Sequence, residues 1–392
     1  MSTPARVLVA GASAAGLATA EALRRKGYTG ALTLLGDEEH VPYDRPPLSK
    51  QVLAGAWQPE RSHLRTREVL DALDAEFLLG DAAASLDVAN RTVHTESGRA
   101  LAADAIVLAT GVRPRTLPGQ EGLTGVHVLR SLDDALALRA ELLAARRLLV
   151  VGDGVLGAEI AATARGLGVE VVLAGPQAAP LAAQLGPLAS GLLAELHNEN
   201  GVKLRLGAGV DGLTTDAANS GRVTGARLCT GEVLEADLVV VALGAIPCTD
   251  WLEDSGLVLG NGVVCDSRCR AADGIYAAGD VARWHHEHLG SLLRLENRTN
   301  ATEQALAVAA NLLGADQPYT PIPYFWTDQF DAKLQIHGVL TADAEVSVVE
   351  GDPAARRFVA RYARHGKAVG VLGWNMPKQA RLHRRQHLGG SR

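Results

Sequence analysis

Arg6-Val7-Leu8-Val9-Ala10-Gly11-Ala12-Ser13-Ala14-Ala15-Gly16 is the stretch that decides the fold. Its apolar start predicts a short buried strand over Arg6 to Ala10, followed by a helix over Ala14 to Lys26 and a second strand over Ala31 to Leu35. A glycine-rich turn between such a strand and helix makes a dinucleotide cradle. One glycine turns the chain sharply, one lets backbone touch a pyrophosphate, and one packs helix on strand. Gly11 and Gly16 hold the outer positions, and Ser13 replaces the middle glycine with a side chain small enough to leave space. The helix N-terminus then offers N–H groups and partial positive charge to phosphates. Asp37 stands where an acid bonds a ribose hydroxyl.

The pattern recurs. Gly152-Asp153-Gly154-Val155-Leu156-Gly157 follows the expected strand Leu148 to Val151 and precedes a helix over Leu156 to Leu167 and a strand over Glu170 to Leu173. This copy keeps all three glycines. Two cradles in one chain bring two dinucleotides together, as a hydride relay requires. At the second site the ribose-binding acid is missing: Val171-Val172-Leu173-Ala174-Gly175-Pro176 contains no Asp or Glu, and no Arg or Lys follows to grip a 2′-phosphate. NADH is favoured because the positive feature for NADPH is absent, and NADPH is not excluded.

The rest of the chain organises around these units. A length of 392 residues fits two or three domains, and 47% hydrophobic with 21% charged residues is ordinary for a soluble protein with a large core. A net charge of −6 gives no pointer to nucleic acid or an acidic membrane surface. No apolar segment approaches the roughly 20 residues that cross a bilayer. The N-terminus lacks the pattern of a secretory signal, so a soluble cytoplasmic protein is expected. Cys229, Cys248, Cys265 and Cys269 form no C-x-x-C pair and supply no zinc site, so no metal is expected. Cys265 and Cys269 sit in sequence that reads as strand and loop.

Ala105 to Thr110 reads as a strand leaving through Gly111 and Pro114; Leu238 to Leu243 leaves likewise through Gly244 and Pro247. Both exits read as crossings between domains. Val41 to Pro47 is too proline-rich for regular helix or a central strand. A third motif, Gly274-Ile275-Tyr276-Ala277-Ala278-Gly279-Asp280, ends a strand in Gly-Asp, where a carboxylate can accept from a polyol such as a ribityl chain. From Pro318 aromatics gather: Tyr319, Tyr324, Phe325, Trp326 and Phe330. Beyond them four short antiparallel strands are expected, over Leu334 to Leu340, Glu345 to Glu350, Arg357 to Ala363 and Ala368 to Gly373. A hairpin turn falls at His365-Gly366-Lys367, and Arg381 to Arg385 reads as a solvated basic tail. The fold class is α/β: two Rossmann-type dinucleotide-binding domains, the first over residues 1–110 and 244–320 and the second over 111–243, plus a small α+β C-terminal domain over 321–392.

At this point the residues resemble a known family. Gly36-Asp37-Glu38-Glu39-His40-Val41-Pro42-Tyr43-Asp44-Arg45-Pro46-Pro47-Leu48-Ser49-Lys50 is similar to the FAD-dependent NAD(P)H:ferredoxin reductases, of the putidaredoxin reductase and dioxygenase ferredoxin reductase type. The likeness runs through Ala109-Thr110-Gly111, Leu117-Pro118-Gly119, Leu129 to Asp134, Gly157-Ala158-Glu159, Ala278-Gly279-Asp280, Asn300 to Gln304 and Tyr324-Phe325-Trp326-Thr327-Asp328-Gln329. The resemblance implies a glutathione-reductase-like fold in which Ala15, Asp37, Arg45, Lys50, Arg130 and Asp280 contact FAD, and Ala83, Thr110 and Arg298 are further candidates for FAD binding. It places Glu159 near Lys50 beside the flavin, with the nicotinamide entering over the ring. Lys50, Glu159 and Trp326 are the catalytic candidates: a fixed cation to stabilise negative charge, a carboxylate to orient it, and an indole to cover a ring face and exclude water. Gly152, Gly154, Gly157, Glu159 and Gly244 are the candidates for the second coenzyme. The family usually carries His-Trp where this chain has Asn297-Arg298, just before a helix expected to point at the flavin pyrimidine. Arg298 either stabilises anionic reduced flavin or turns outward.

The function so implied is a reductase passing electrons from NAD(P)H through flavin to a [2Fe–2S] ferredoxin that feeds a cytochrome P450 or ring-hydroxylating dioxygenase. An acidic ferredoxin needs a basic docking surface, for which Arg61, Arg65, Arg67 and Arg381 to Arg385 are candidates. Thiol chemistry is disfavoured because Arg45 to Lys50 holds no cysteine and all four cysteines come late in the chain. The alternatives are an NAD(P)H oxidase or small-molecule reductase, and a redox-sensing flavoprotein without enzymatic role.

Overall fold

The computed structural model describes residues 3–216, 221–340 and 343–389. Contacts group the chain into two units: Met1–Asp44 with Glu60–Arg113 and Ile246–Pro321, and Arg45–Pro59 with Pro114–Ala245 and Ile322–Arg392.

The first unit is built on a six-stranded sheet in the order Arg270–Ala272, Ile275–Ala277, Ala105–Leu108, Arg6–Ala10, Ala31–Leu35, Glu76–Leu78. All pairings are parallel except the edge strand Arg270–Ala272. Strands buried on both faces read as continuous apolar runs, which is how Val7 to Ala10 and Ile106 to Leu108 read. The first helix, Ala14–Arg25, packs against a later one, Arg298–Leu312, and both bury alanine-rich faces. Small side chains allow that close helix contact. A three-stranded antiparallel insertion, Ala83–Asp87, Thr92–Thr95 and Ala100–Ala102, was not foreseen from the sequence. Tyr319, which the sequence grouped with the C-terminal aromatics, packs in this unit: its carbonyl accepts from Trp284 Nε1 at 3.0 Å and its hydroxyl bonds Asn300 Oδ1 at 3.1 Å.

The second unit contains a five-stranded parallel sheet in the order Val202–Leu206, Glu170–Gly175, Arg147–Val151, Leu238–Val241, Val126–His127. It also contains a five-stranded antiparallel sheet in the order Tyr324–Gln329, Ala332–Gly338, Lys367–Trp374, Arg357–Arg364, Glu345–Asp352. The expected hairpin turn is present: His365 (φ 49°) and Gly366 (φ 75°) are both left-handed between paired Arg364 and Lys367, the backbone a tight two-residue loop demands. A second unforeseen insertion spans Val210–Thr215, Val223–Leu228 and Val233–Glu235.

One expectation is corrected. Arg381 to Arg385 is not an irregular tail but lies within a helix, Pro377–His387, with Arg381 and Arg385 exposed as expected. Proline starts it, Ala380 is fully buried against the sheet, and the basic residues of its last turn complement the negative end of the helix dipole. Among the described residues no helix is long and apolar enough to cross a membrane, and no group of three metal-ligating side chains occurs.

Glycine packing in the helices gives a test with opposite signs. At Gly16 a Cβ would collide with the carbonyl of Gly11, whereas at Gly191, inside the helix Ala182–Glu199, it would meet nothing. Gly16→Ala is expected to destabilise by about 1–3 kcal/mol through overpacking. Gly191→Ala is expected to stabilise by up to about 1 kcal/mol through helix propensity. Urea unfolding of both variants checks the pair.

Candidate functional site

The two glycine loops share one geometry. Gly11 has φ 119° and Gly152 φ 121°, values an L side chain rarely adopts. A Cβ on either would strike a carbonyl of the neighbouring strand exit, Ala109 in one case and Ala242 in the other. Thr110 borders Gly11 as Leu243 borders Gly152, and both exits continue into a left-handed glycine, Gly111 and Gly244. The third glycine of each loop, Gly16 or Gly157, sits directly on the carbonyl of the first.

Each loop opens a helix whose N-cap, Ser13 or Gly154, makes no side-chain cap bond. The first-turn N–H groups therefore lack the side-chain acceptor that Ser131 and Asn297 provide to their helices. Uncapped N–H groups above a backbone with no side chain in the way fit a pyrophosphate, and the residues present suit a dinucleotide at both loops.

Around the first loop the structure gathers several predicted residues. Gly36 packs against Ala12, which brings exposed Asp37 to the loop at the end of its strand. Gly279, left-handed at φ 78°, lies against Ala15 and donates its N–H to Gln304 Oε1 at 2.9 Å, placing the Gly279-Asp280 turn beside the loop. Thr110 Oγ1 donates to the Cys248 carbonyl at 3.0 Å. Ala83 lies half-buried at the start of the antiparallel insertion, packed on the core. Arg298 is partly buried, pairs with Asp44 at 2.5 Å and also bonds Thr302 Oγ1. Asn297 caps the helix that Arg298 begins.

The second unit holds the other cluster. The chain after Pro47 forms a wide turn, with Val52 N–H reaching back to the Pro47 carbonyl at 3.0 Å, and this π-type turn carries Ser49 and Lys50. Thr163 Oγ1 donates to the Ser49 carbonyl at 2.7 Å, fixing the turn to the helix Val155–Gly166 that carries Glu159. Glu159, 5% exposed, accepts from three donors: Lys50 Nζ at 2.6 Å and Ser49 Oγ at 2.6 Å on one oxygen, and Thr327 Oγ1 at 2.8 Å on the other. Arg45 Nη1 donates to the Arg130 carbonyl at 2.6 Å, and Arg130 itself precedes a helix, Leu132–Leu142, that opens with a Ser131–Asp134 capping box.

Strand alternation sorts the Tyr324–Gln329 segment. Thr327 and Gln329 face the buried side, and Tyr324, Trp326 and Asp328 the other. Gln329 Nε2 donates to Thr327 Oγ1 at 3.1 Å, and Gln329 Oε1 meets His197 Nε2 at 2.7 Å. With the amide oriented that way, His197 carries its proton on Nε2, and burial pushes its pKa down, so it stays neutral. Trp326 stacks on Tyr324 at 6.0 Å between ring centroids, and Tyr324 on His337 at 4.7 Å. His337 is buried with neither ring nitrogen hydrogen-bonded; burial, helped by Arg384 and Arg381, pulls it down to about 4. Burial likewise raises Asp328, opposed by Lys50 and reinforced by Glu159.

Thus the structure joins Lys50 to Glu159 as expected, and adds Ser49, Thr327, Gln329 and His197, which sequence reasoning gave no role. None of the four cysteines forms a disulfide; burial raises Cys265 well above its usual range and Cys269 to about 12, so both stay as inert thiols. Two of the proposed docking arginines are engaged, Arg65 by Glu21 at 2.5 Å and Arg67 by Asp71 at 2.9 Å.

Residues 5–305 match the model of the pyridine nucleotide-disulphide oxidoreductase family, and residues 324–388 match a reductase C-terminal domain. The chain is 36% identical to rhodocoxin reductase from Rhodococcus erythropolis, across 95% of this chain and 87% of that one. It is 35% identical to the ferredoxin–NAD(+) reductase component of an anthranilate 1,2-dioxygenase system from Burkholderia cepacia, across 98% and 94%. Among solved structures it superposes on the covalent putidaredoxin reductase–putidaredoxin complex with a TM-score of 0.91 at 33% identity, covering 97% of this chain and 92% of that one.

Two measurements follow. Lys50→Met leaves the Glu159 carboxylate buried without its cation, at an expected cost of about 3 kcal/mol in chemical unfolding. His337, neutral when folded and free to protonate when unfolded, contributes stability that is complete above pH 6.5 and lost as pH falls toward 4. After solvent screening that loss is about 2 kcal/mol, and His337→Phe should flatten the melting-temperature profile across this window.

Proposed function

The chain belongs to the pyridine nucleotide-disulphide oxidoreductase family, and on that premise we propose that it is an FAD-dependent, NADH-preferring reductase of a [2Fe–2S] ferredoxin. The observation that carries this reading is the duplicated cradle, with Gly11 and Gly152 in the same conformation against the same kind of carbonyl. One chain with two such cradles and no cysteine between Arg45 and Lys50 is suited to moving electrons between nucleotides rather than to reducing disulfides. The ferredoxin is supported by the ferredoxin–NAD(+) reductase component among the relatives and by the putidaredoxin bound to the structurally similar reductase. The electrons then go on to a P450 or a ring-hydroxylating dioxygenase.

On this proposal Gly11, Ser13, Ala15, Gly16, Asp37, Ala83, Thr110 and Asp280 receive FAD, with Arg45, Lys50, Arg130 and Arg298 as its cationic contacts. The chain then divides as 1–110 with 244–320 for FAD, 111–243 for the nicotinamide coenzyme and 321–392 as the C-terminal domain. Bound FAD supplies a two-electron acceptor able to release its electrons one at a time. Glu159 holds Lys50 as a fixed cation, and the Ser49 and Thr327 hydroxyls keep the carboxylate from turning away. Trp326, braced by Tyr324, presents a flat apolar face that excludes water. Gly152, Gly154, Gly157 and Gly244 receive the second coenzyme.

The test is cytochrome c reduction by the yellow holoprotein with NADH, with and without a [2Fe–2S] ferredoxin. A rate that rises at least about tenfold on adding ferredoxin is expected from electrostatically steered docking. Rates indifferent to every ferredoxin tried, or a protein that takes up no flavin, would overturn the reading.

A further inference from the structure

The second cradle lacks an acid where the strand Glu170–Gly175 ends, yet a carboxylate occupies that place. Asp153, between the first two glycines of the loop, is only 4% exposed. Its side chain lies across the end of the strand: a Cβ built on Gly175 would land on the Asp153 carboxylate. The acid stands on the loop rather than on the strand, and Gly175 makes room for it. Asp153 Oδ2 accepts the backbone N–H of Gln177 at 2.7 Å, and Oδ1 accepts Gln177 Nε2 at 2.7 Å. Gln177 Oε1 in turn accepts the Ala183 N–H at 2.7 Å, so the segment after the strand is fixed around this carboxylate.

We propose that Asp153 is the residue that discriminates against a 2′-phosphate and commits this site to NADH. A 2′-phosphate in a Rossmann site is received by cations and free N–H groups just past the second strand. Here Pro176, Gln177, Ala178, Ala179 and Pro180 offer no cation, and the Gln177 N–H is already consumed by a carboxylate. A phosphate would meet like charge in a poorly solvated place, with the Gln177 N–H already taken. A ribose hydroxyl meets no such penalty, and each carboxylate oxygen keeps a lone pair beyond its bond to Gln177. The inference rests on the nicotinamide reading above and names the group that sets its coenzyme preference.

The experiment is calorimetric titration of the oxidised holoprotein with NAD+ and with NADP+, for wild type and for the isosteric, uncharged Asp153→Asn. Wild type is expected to bind NAD+ more tightly. The variant should gain about tenfold in NADP+ affinity, a usual scale for removing one like charge, while NAD+ affinity moves far less. Asp153→Ser, which removes the same charge by a different shape, gives the same readout should the first variant fold poorly. A ratio of the two affinities that neither variant shifts, or a wild type preferring NADP+, overturns the role of Asp153. A wild type that binds neither coenzyme defeats the nicotinamide reading itself, a distinguishable failure.

Discussion

Everything in the two dinucleotide units depends on one close approach: a glycine in a left-handed turn set against the carbonyl of the strand crossing beside it. Gly11 meets Ala109 in this way and Gly152 meets Ala242. The contact leaves no volume for a side chain, and the conformation would strain one. Because the glycine is pressed onto the neighbouring strand, the following helix starts directly beyond the C-terminal end of its own strand with its N–H groups clear. The third glycine, seated on the carbonyl of the first, then draws the helix down onto its strand. Geometry that looks like permissiveness is therefore a constraint that fixes strand, turn and helix together.

The second unit solves a different problem, the burial of charge. A carboxylate as enclosed as Glu159 is tolerable only when its acceptor sites are filled and a cation neutralises it. Lys50 and Ser49 arrive on a wide turn that a following proline-free stretch allows, and Thr327 arrives on a strand from far along the chain. Behind Thr327 the bonds continue through Gln329 to a neutral His197. Each member has its orientation set by the next, so the ammonium end is held by a network and not by one flexible ion pair. A cation so fixed costs little reorganisation when negative charge develops near it.

How much of this was legible follows from where the determinants lie. The parallel strands and glycine loops were readable because their signals are local: apolar runs of fixed length and turn residues at fixed spacing. The Lys50–Glu159 pair came from resemblance, and the extension to His197 from neither source. A lone histidine in an amphipathic helix carries no mark of the glutamine that will face it across the fold. The antiparallel insertions escaped because strands of three to six residues, half exposed, show too little alternation to stand out from loop. Charge density misled at Arg381 to Arg385, where Pro377 and Ala380 were the better guides: one starts a helix, the other gives it a face to bury.

The missing ribose acid shows a further limit of reading motifs by position. Along the sequence, the strand ending at Gly175 lacks its carboxylate; in space, Asp153 fills that volume from the adjacent loop. The two statements are compatible because neighbouring parallel strands end side by side, so either can deliver an acid to the same spot. The exchange has a structural requirement. An acid on the loop needs a residue without a side chain opposite it, and Gly175 is that residue. It also needs donors to balance its burial, and Gln177 supplies both a backbone and a side-chain N–H. Asp153 and Glu159 therefore belong to one loop-and-helix segment and obey one rule: each buried carboxylate is matched by donors from another stretch of chain.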